Sequence, residues 1–72
     1  LVAVGDSAMN RNSSGTNNTA LGSKTLYSNT AGAYNTALGY NAQYKNTIGN
    51  WNNTVGHNSM YNNTSVSYNN TI

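Results

Sequence analysis

The sequence contains no cysteine, no proline and no phenylalanine, and only 6 % of its 72 residues are charged. Without cysteine the chain can form neither a disulfide framework nor a thiolate metal site. The absence of proline fits a sheet whose interior N–H groups are paired, since proline cannot donate to a β-ladder. A chain this short usually needs a staple, so we expect association with other chains or continuation into further repeats.

Charge is scarce and dispersed. Arg11, Lys24 and Lys45 stand against the single acid Asp6, which gives a formal net charge of +2. Phosphate-binding surfaces cluster several cations, so we expect no nucleic-acid partner. No apolar run approaches the roughly 20 residues of a transmembrane helix, and no signal peptide is recognisable, so we expect no membrane span.

The sequence repeats every seventeen residues. Its seven glycines alternate at spacings of ten and seven: Gly5, Gly15, Gly22, Gly32, Gly39, Gly49 and Gly56. The copies, here called coils one to five, span 1–17, 18–34, 35–51, 52–68 and the partial 69–72. Val66 stands where the next glycine is due, which predicts a less tight corner or a changed end to the regular array.

The composition between the glycines predicts strands and turns. Short runs of Thr, Val, Ile, Tyr and Leu are bounded by Gly and Asn, and apolar residues do not recur at helical spacing. Asn, Thr and Ser supply 33 of the 72 residues, which is also typical of disordered tracts, but disorder does not require a strict period. We therefore predict an all-β fold, a parallel β-solenoid or β-roll of 17-residue coils, stacked about 4.8 Å apart. Each coil is expected to contain two short strands, such as Asn18–Leu21 and Thr25–Thr30, with glycines at the corners.

Residues at one position of successive coils form columns. The fourth position is always branched and apolar, and we expect it to point into the coil: Val4, Leu21, Leu38, Val55 and Ile72. The third position is small, and we expect it to face outward, against another chain or solvent. The twelfth position predicts a stacked Asn ladder: Asn12, Asn29, Asn46 and Asn63.

No set of residues fits catalysis or metal binding. Asp6 and His57 share the sixth position but lie three coils apart, about 14 Å on the ladder spacing. Hydrogen-bonded acid–base pairs need roughly 3 Å, and one His with one Asp is not a metal-ligand set. The glycines lack the Lys-Ser/Thr of a phosphate loop. We expect no enzyme activity, no metal and no cofactor.

Aromatic residues recur at the tenth and last positions. They could form a carbohydrate-stacking strip, or pack between coils or chains. The two columns are Tyr27, Tyr44 and Tyr61, and Tyr34, Trp51 and Tyr68. Asn-x-Ser/Thr sequons are candidate glycosylation sites, although this composition produces sequons by itself. They begin at Asn12, Asn17, Asn52, Asn62, Asn63 and Asn69.

The pattern Asn-Thr-Ala-Leu-Gly, at Asn18–Gly22 and again at Asn35–Gly39, is the clearest part of the repeat. It resembles the seventeen-residue repeats of long bacterial surface and phage tail-fibre-type proteins, and is similar to the head repeats of trimeric autotransporter adhesins. The resemblance implies a left-handed parallel β-roll, three chains side by side, and a place outside the cell at host or matrix surfaces. It supplies no catalytic residue.

Two functions follow as expectations. The first is an extracellular structural module, a stiff shaft or a self-assembling filament subunit, whose partner is itself as a homotrimer or an end-to-end filament. The second is a surface- or carbohydrate-binding adhesin that uses the Tyr/Trp columns to contact surface glycans. Because the chain starts without Met in the first position of a repeat, we expect a fragment of a longer fibrous protein, or a processed product.

Overall fold

One short strand recurs in every coil of the computed structural model, which describes all residues from Leu1 to Ile72. The strands lie side by side in chain order in one parallel sheet. Their bounds are β1 Val2–Val4, β2 Thr19–Leu21, β3 Thr36–Leu38, β4 Asn53–Val55 and β5 Asn70–Thr71. Neighbouring strands pair at equivalent positions, for example Ala20 with Ala37. This architecture confirms the all-β parallel solenoid and its register of seventeen.

The long arm of each coil is not a strand, so the predicted second strand at Thr25–Thr30 is wrong. The seventh and ninth positions adopt left-handed backbone conformations, with φ between 49° and 61°, as at Lys24 and Leu26. Extended strands need negative φ throughout. The arm turns instead, yet it remains bonded between coils: the Met9 N–H donates to the Thr25 carbonyl at 2.9 Å. Local turns have overridden the strand propensity of Thr and Tyr.

The expected core column is also wrong, because the sheet faces the other way. In β2 to β4 the middle residue is buried, and Ala20, Ala37 and Thr54 are at most 1 % exposed. Side chains alternate across a strand, so the fourth position must point outward. It is exposed in every coil, by 39 to 101 %: Val4, Leu21, Leu38, Val55 and Ile72. In β2 to β4 the small third position therefore lines the interior instead of facing outward as expected from the sequence.

The interior combines these small side chains from the strands with larger ones from the rest of the coil. The buried hydrophobic residues are Met9, Ala20, Leu26, Ala37 and Ala42. The buried polar residues outnumber them: Asn18, Thr25, Asn29, Asn35, Gln43, Asn46, Asn52 and Thr54. A buried amide without a partner destabilises the fold. The stability of the coil therefore depends on how these amides are bonded.

Candidate functional site

The position-12 asparagines form a hydrogen-bonded ladder inside the roll. Asn29 Nδ2 donates to Asn12 Oδ1 at 2.7 Å, and Asn46 Nδ2 donates to Asn29 Oδ1 at 2.9 Å. Asn63 continues the ladder to Asn46 at 3.3 Å. Each amide also bonds a carbonyl of its own coil, as Asn29 does to Gly32 at 3.0 Å. The ladder thus joins coils along the axis. It also stabilises the second corner of each coil, the one at the fifteenth position.

A second asparagine ladder, which the sequence analysis missed, runs through the first position. Asn18 Oδ1 accepts the Asn35 N–H at 2.8 Å, and Asn35 Oδ1 accepts the Asn52 N–H at 2.9 Å. Asn18 Nδ2 donates across the coil to the Gly32 carbonyl at 2.7 Å. The recurrence of Asn at the start of coils two to five was the signal that could have revealed it: Asn18, Asn35, Asn52 and Asn69.

The corner glycines serve two different requirements. At the fifth position, just after a strand, the backbone is left-handed, with φ of +127° at Gly22. At the fifteenth position φ is not positive, but the coils approach closely: a Cβ on Gly49 would lie 2.5 Å from the Val66 carbonyl oxygen. Close approach of the next coil requires glycine at both positions, as for Gly5, whose Cβ would lie 2.6 Å from the Gly22 carbonyl carbon, and torsion is a second requirement at the fifth position alone.

Both aromatic columns are stacked ladders on the outside of the roll. The Tyr27–Tyr44–Tyr61 ring centroids are 4.9 and 5.0 Å apart, with interplanar angles of 3° and 5°. The Tyr34–Trp51–Tyr68 centroids are 5.0 and 5.2 Å apart, with angles of 3° and 1°. Parallel rings with centroids about 5 Å apart lie in the range of favourable aromatic stacking. The rings therefore pack against one another between coils.

Two of the three cations lie over the Tyr27–Tyr44–Tyr61 stack. The Arg11 guanidinium is 5.6 Å from the centroid of Tyr27, and the Lys45 ammonium is 5.7 Å from that of Tyr61. Cation–π contacts at exposed sites contribute about 0.5–1 kcal/mol. These two cations therefore stabilise the contact between adjacent coils and do not form a free basic patch.

The outer face of the sheet is uncharged and uncovered. The second and fourth positions of every coil project from it, without one charged residue. The apolar residues exposed there are Val2, Val4, Leu21, Leu38, Val55 and Ile72. Parallel sheets are almost always covered on both faces. This outer sheet face is the surface of the molecule that most resembles an interface.

The residues considered for catalysis do not come together. Asp6 lies in coil one, and the His57 ring packs against Tyr40 in coil three, with centroids 5.2 Å apart and planes at 41°. The surface contains no pocket, and no three His, Cys, Asp or Glu side chains form a group. The chain also contains no helix with the length and apolar character needed to cross a bilayer.

The six sequons differ in the freedom of their asparagine side chains. Asn12, Asn52, Asn63 and Asn69 have amides that make ladder hydrogen bonds. The two exposed residues whose amides make no hydrogen bond are Asn17 and Asn62. If any sequon is used in the folded protein, these two are the accessible ones.

Comparison of the chain with protein-family models, with curated proteins and with solved structures gives no match.

Proposed function

We propose that this chain is a non-enzymatic structural module, a stiff β-solenoid shaft or filament unit of an extracellular fibre. The observation that supports this proposal is the recurrence of the same kinds of contact at successive coil junctions. Backbone hydrogen bonds, two asparagine ladders and two aromatic stacks recur at intervals of seventeen residues. A junction that recurs along the chain produces a regular, stiff array whose length is set by the number of coils.

The proposed partner is further copies of the same chain, side by side over the outer sheet face. Its apolar side chains repeat with the rise of one coil, so a partner that matches every coil must have the same rise. A second solenoid of this kind meets that condition. The molecule measures 23 × 20 × 17 Å, so this face is smaller than the roughly 800 Å² per partner of a standard interface. Association of the 72-residue chain should therefore depend on concentration and strengthen with added coils.

Sedimentation equilibrium across a range of concentrations tests this proposal. We expect masses at small multiples of 7.6 kDa. Leu21→Asn with Leu38→Asn should shift the chain to monomer with an unchanged circular dichroism spectrum. Ile48→Asn is the matched control, because Ile48 is 55 % exposed but lies outside the sheet. A wild-type chain that stays monomeric at all concentrations contradicts lateral self-association.

The second candidate function is binding of surface glycans through the Tyr34–Trp51–Tyr68 ladder. These rings are 49, 45 and 74 % exposed, which favours this ladder over the half-buried Tyr27–Tyr44–Tyr61 ladder. In coil one, Asn17 occupies the column of the exposed ladder and Asn10 that of the half-buried ladder. Asparagine is therefore compatible with the backbone conformation at both positions. Replacing the three exposed rings by Asn should abolish binding on a glycan array, while the same change in the other column should not. Equal binding by all three proteins excludes this function.

A further inference from the structure

The fifteenth position of each coil lies where two coils nearly touch. A Cβ on Gly32 would lie 2.5 Å from the Gly49 carbonyl oxygen, and one on Gly49 would lie 2.5 Å from that of Val66. Real Cβ atoms do not approach backbone atoms so closely. Since φ is not positive at these glycines, the close approach of the next coil is what requires glycine.

The same Cβ would also crowd the asparagine ladder. On Gly49 it would lie 2.5 Å from Asn46 Oδ1, in its own coil. That oxygen is the acceptor that Asn63 Nδ2 uses from the following coil. Glycine at the fifteenth position therefore clears space for a carbonyl and for a ladder hydrogen bond of the next coil.

Val66 occupies this position in coil four, and its backbone remains in the column. Its carbonyl accepts Asn52 Nδ2 at 2.9 Å and Asn63 Nδ2 at 3.0 Å, as the glycine carbonyls do in earlier coils. The Val66 Cβ must then project to the place where the carbonyl of a following coil would lie. Its side chain is 57 % exposed.

The junction leading to Val66 is already looser than the others. The Gly32 N–H donates to the Thr47 carbonyl at 3.1 Å, and two neighbouring N–H groups donate to the same carbonyl. The Gly49 N–H makes no equivalent hydrogen bond to the Thr64 carbonyl. The Asn63–Asn46 ladder bond is the longest of its column. The strand side is unaffected, because Asn70 and Thr71 still pair with β4.

We propose that Val66 is a stop residue. Its Cβ prevents a further regular coil, whether from the same chain or from a second copy, from stacking on coil four at the fifteenth position. This inference rests on the proposed structural function and adds a limit to it. Lateral partners can still cover the outer sheet face, but regular stacking along the axis ends at coil four.

The test is an extended chain in which a copy of Gly22–Trp51 follows Ile72 and continues the register. Three versions carry Val66, Val66→Gly or Val66→Ala, and amide hydrogen exchange is measured in the added coils. In the Val66→Gly version we expect exchange on the order of 100-fold slower than in the version that keeps Val66, because a stacked coil protects its amides. Val66→Ala is the matched control, since it keeps the Cβ but removes the branched methyl groups, and it should behave like the unsubstituted version.

Several outcomes would overturn the stop-residue proposal. Equal protection of the added coils in all three versions would show that Val66 blocks nothing. Protection in the Val66→Ala version would show that the Cβ is not the obstacle, and lack of protection in the Val66→Gly version would place the limit elsewhere. None of these results bears on lateral association, which the Leu21 and Leu38 variants measure separately.

Discussion

At the scale of single residues, buried amides rather than large apolar side chains determine the interior. The interior asparagines have hydrogen-bond partners, so that burial costs little. Two buried amide oxygens are exceptions, Asn41 Oδ1 and Gln43 Oε1, neither of which has a partner. Gln43 replaces the Met and Leu of its column, and its Nε2 donates to Thr54 Oγ1 at 3.0 Å.

The first prediction concerns the orphaned oxygen of Gln43. An unpaired buried acceptor costs about 1–3 kcal/mol, so Gln43→Met should raise the free energy of unfolding by roughly 1 kcal/mol. The partners left behind stay bonded: Thr54 Oγ1 donates to Met60 Sδ at 3.0 Å, and the Asn52 carbonyl accepts the Thr36 N–H at 2.8 Å. Urea unfolding measures the change. Gln43→Ala, which opens a cavity, should lower stability by about 2 kcal/mol or more, and a Met variant less stable than wild type would refute this account.

At the scale of elements, a coil is one strand, a turning arm and two corners. The strand is three residues long, too short to be stable alone, and gains its stability from identical neighbours. The arm keeps its hydrogen bonds to adjacent coils although left-handed residues interrupt it. The second corner depends on asparagine amides from the first and twelfth positions, which meet at one carbonyl, as Asn18 and Asn29 do at Gly32.

The period, the strand of the short arm and the position-12 ladder could be predicted from recurrence alone. The inward and outward faces could not. Leu21 is larger and more apolar than Ala20, so hydrophobicity alone predicts that Leu21 points inward, but exposed apolar residues are common and the inner strands contribute only Ala or Thr to the interior. The left-handed backbone conformations of Lys24 and Leu26 could not be predicted from the sequence either, because neither residue type favours that conformation.

The second prediction tests the ladder that the sequence analysis missed. Asn35→Ala removes the acceptor of the Asn52 N–H and a donor to the Gly49 carbonyl. Because the N–H is then buried without a partner, we expect a loss of about 3 kcal/mol. Asn53→Ala is the control: Asn53 is exposed, bonds only Asn70 through its side chain, and should change stability by about 0.5 kcal/mol or less. Similar losses from both changes in thermal unfolding would contradict a special role for the ladder.

At the scale of the whole molecule, each strand contacts only its neighbours in the stack. Stability in such an array is the sum of coil and junction contributions, and opening can begin at either end. Ion pairs contribute little to the stability of the fold, because the chain has a single acidic residue. The molecule should therefore respond to local changes coil by coil.

The third prediction follows from this linear arrangement. Native-state amide exchange should be slowest in β2, β3 and β4, which are paired on both sides, and fastest in β1 and β5, which are paired on one side. Gly32→Ala, which forces a Cβ against the next coil, should accelerate exchange in β2 and β3 more than in β5. Uniform exchange rates along the chain would instead indicate one cooperative unit.

The Tyr34–Trp51–Tyr68 stack also makes the protein its own optical reporter. The only tryptophan lies between two parallel tyrosine rings from adjacent coils, each about one coil rise away. Tyrosines this close pass their excitation to tryptophan, so the native protein should emit mainly as tryptophan. Separation of coil three from coil two or four would restore tyrosine emission. A fluorimeter could therefore follow the integrity of the stack at Trp51 without any added label.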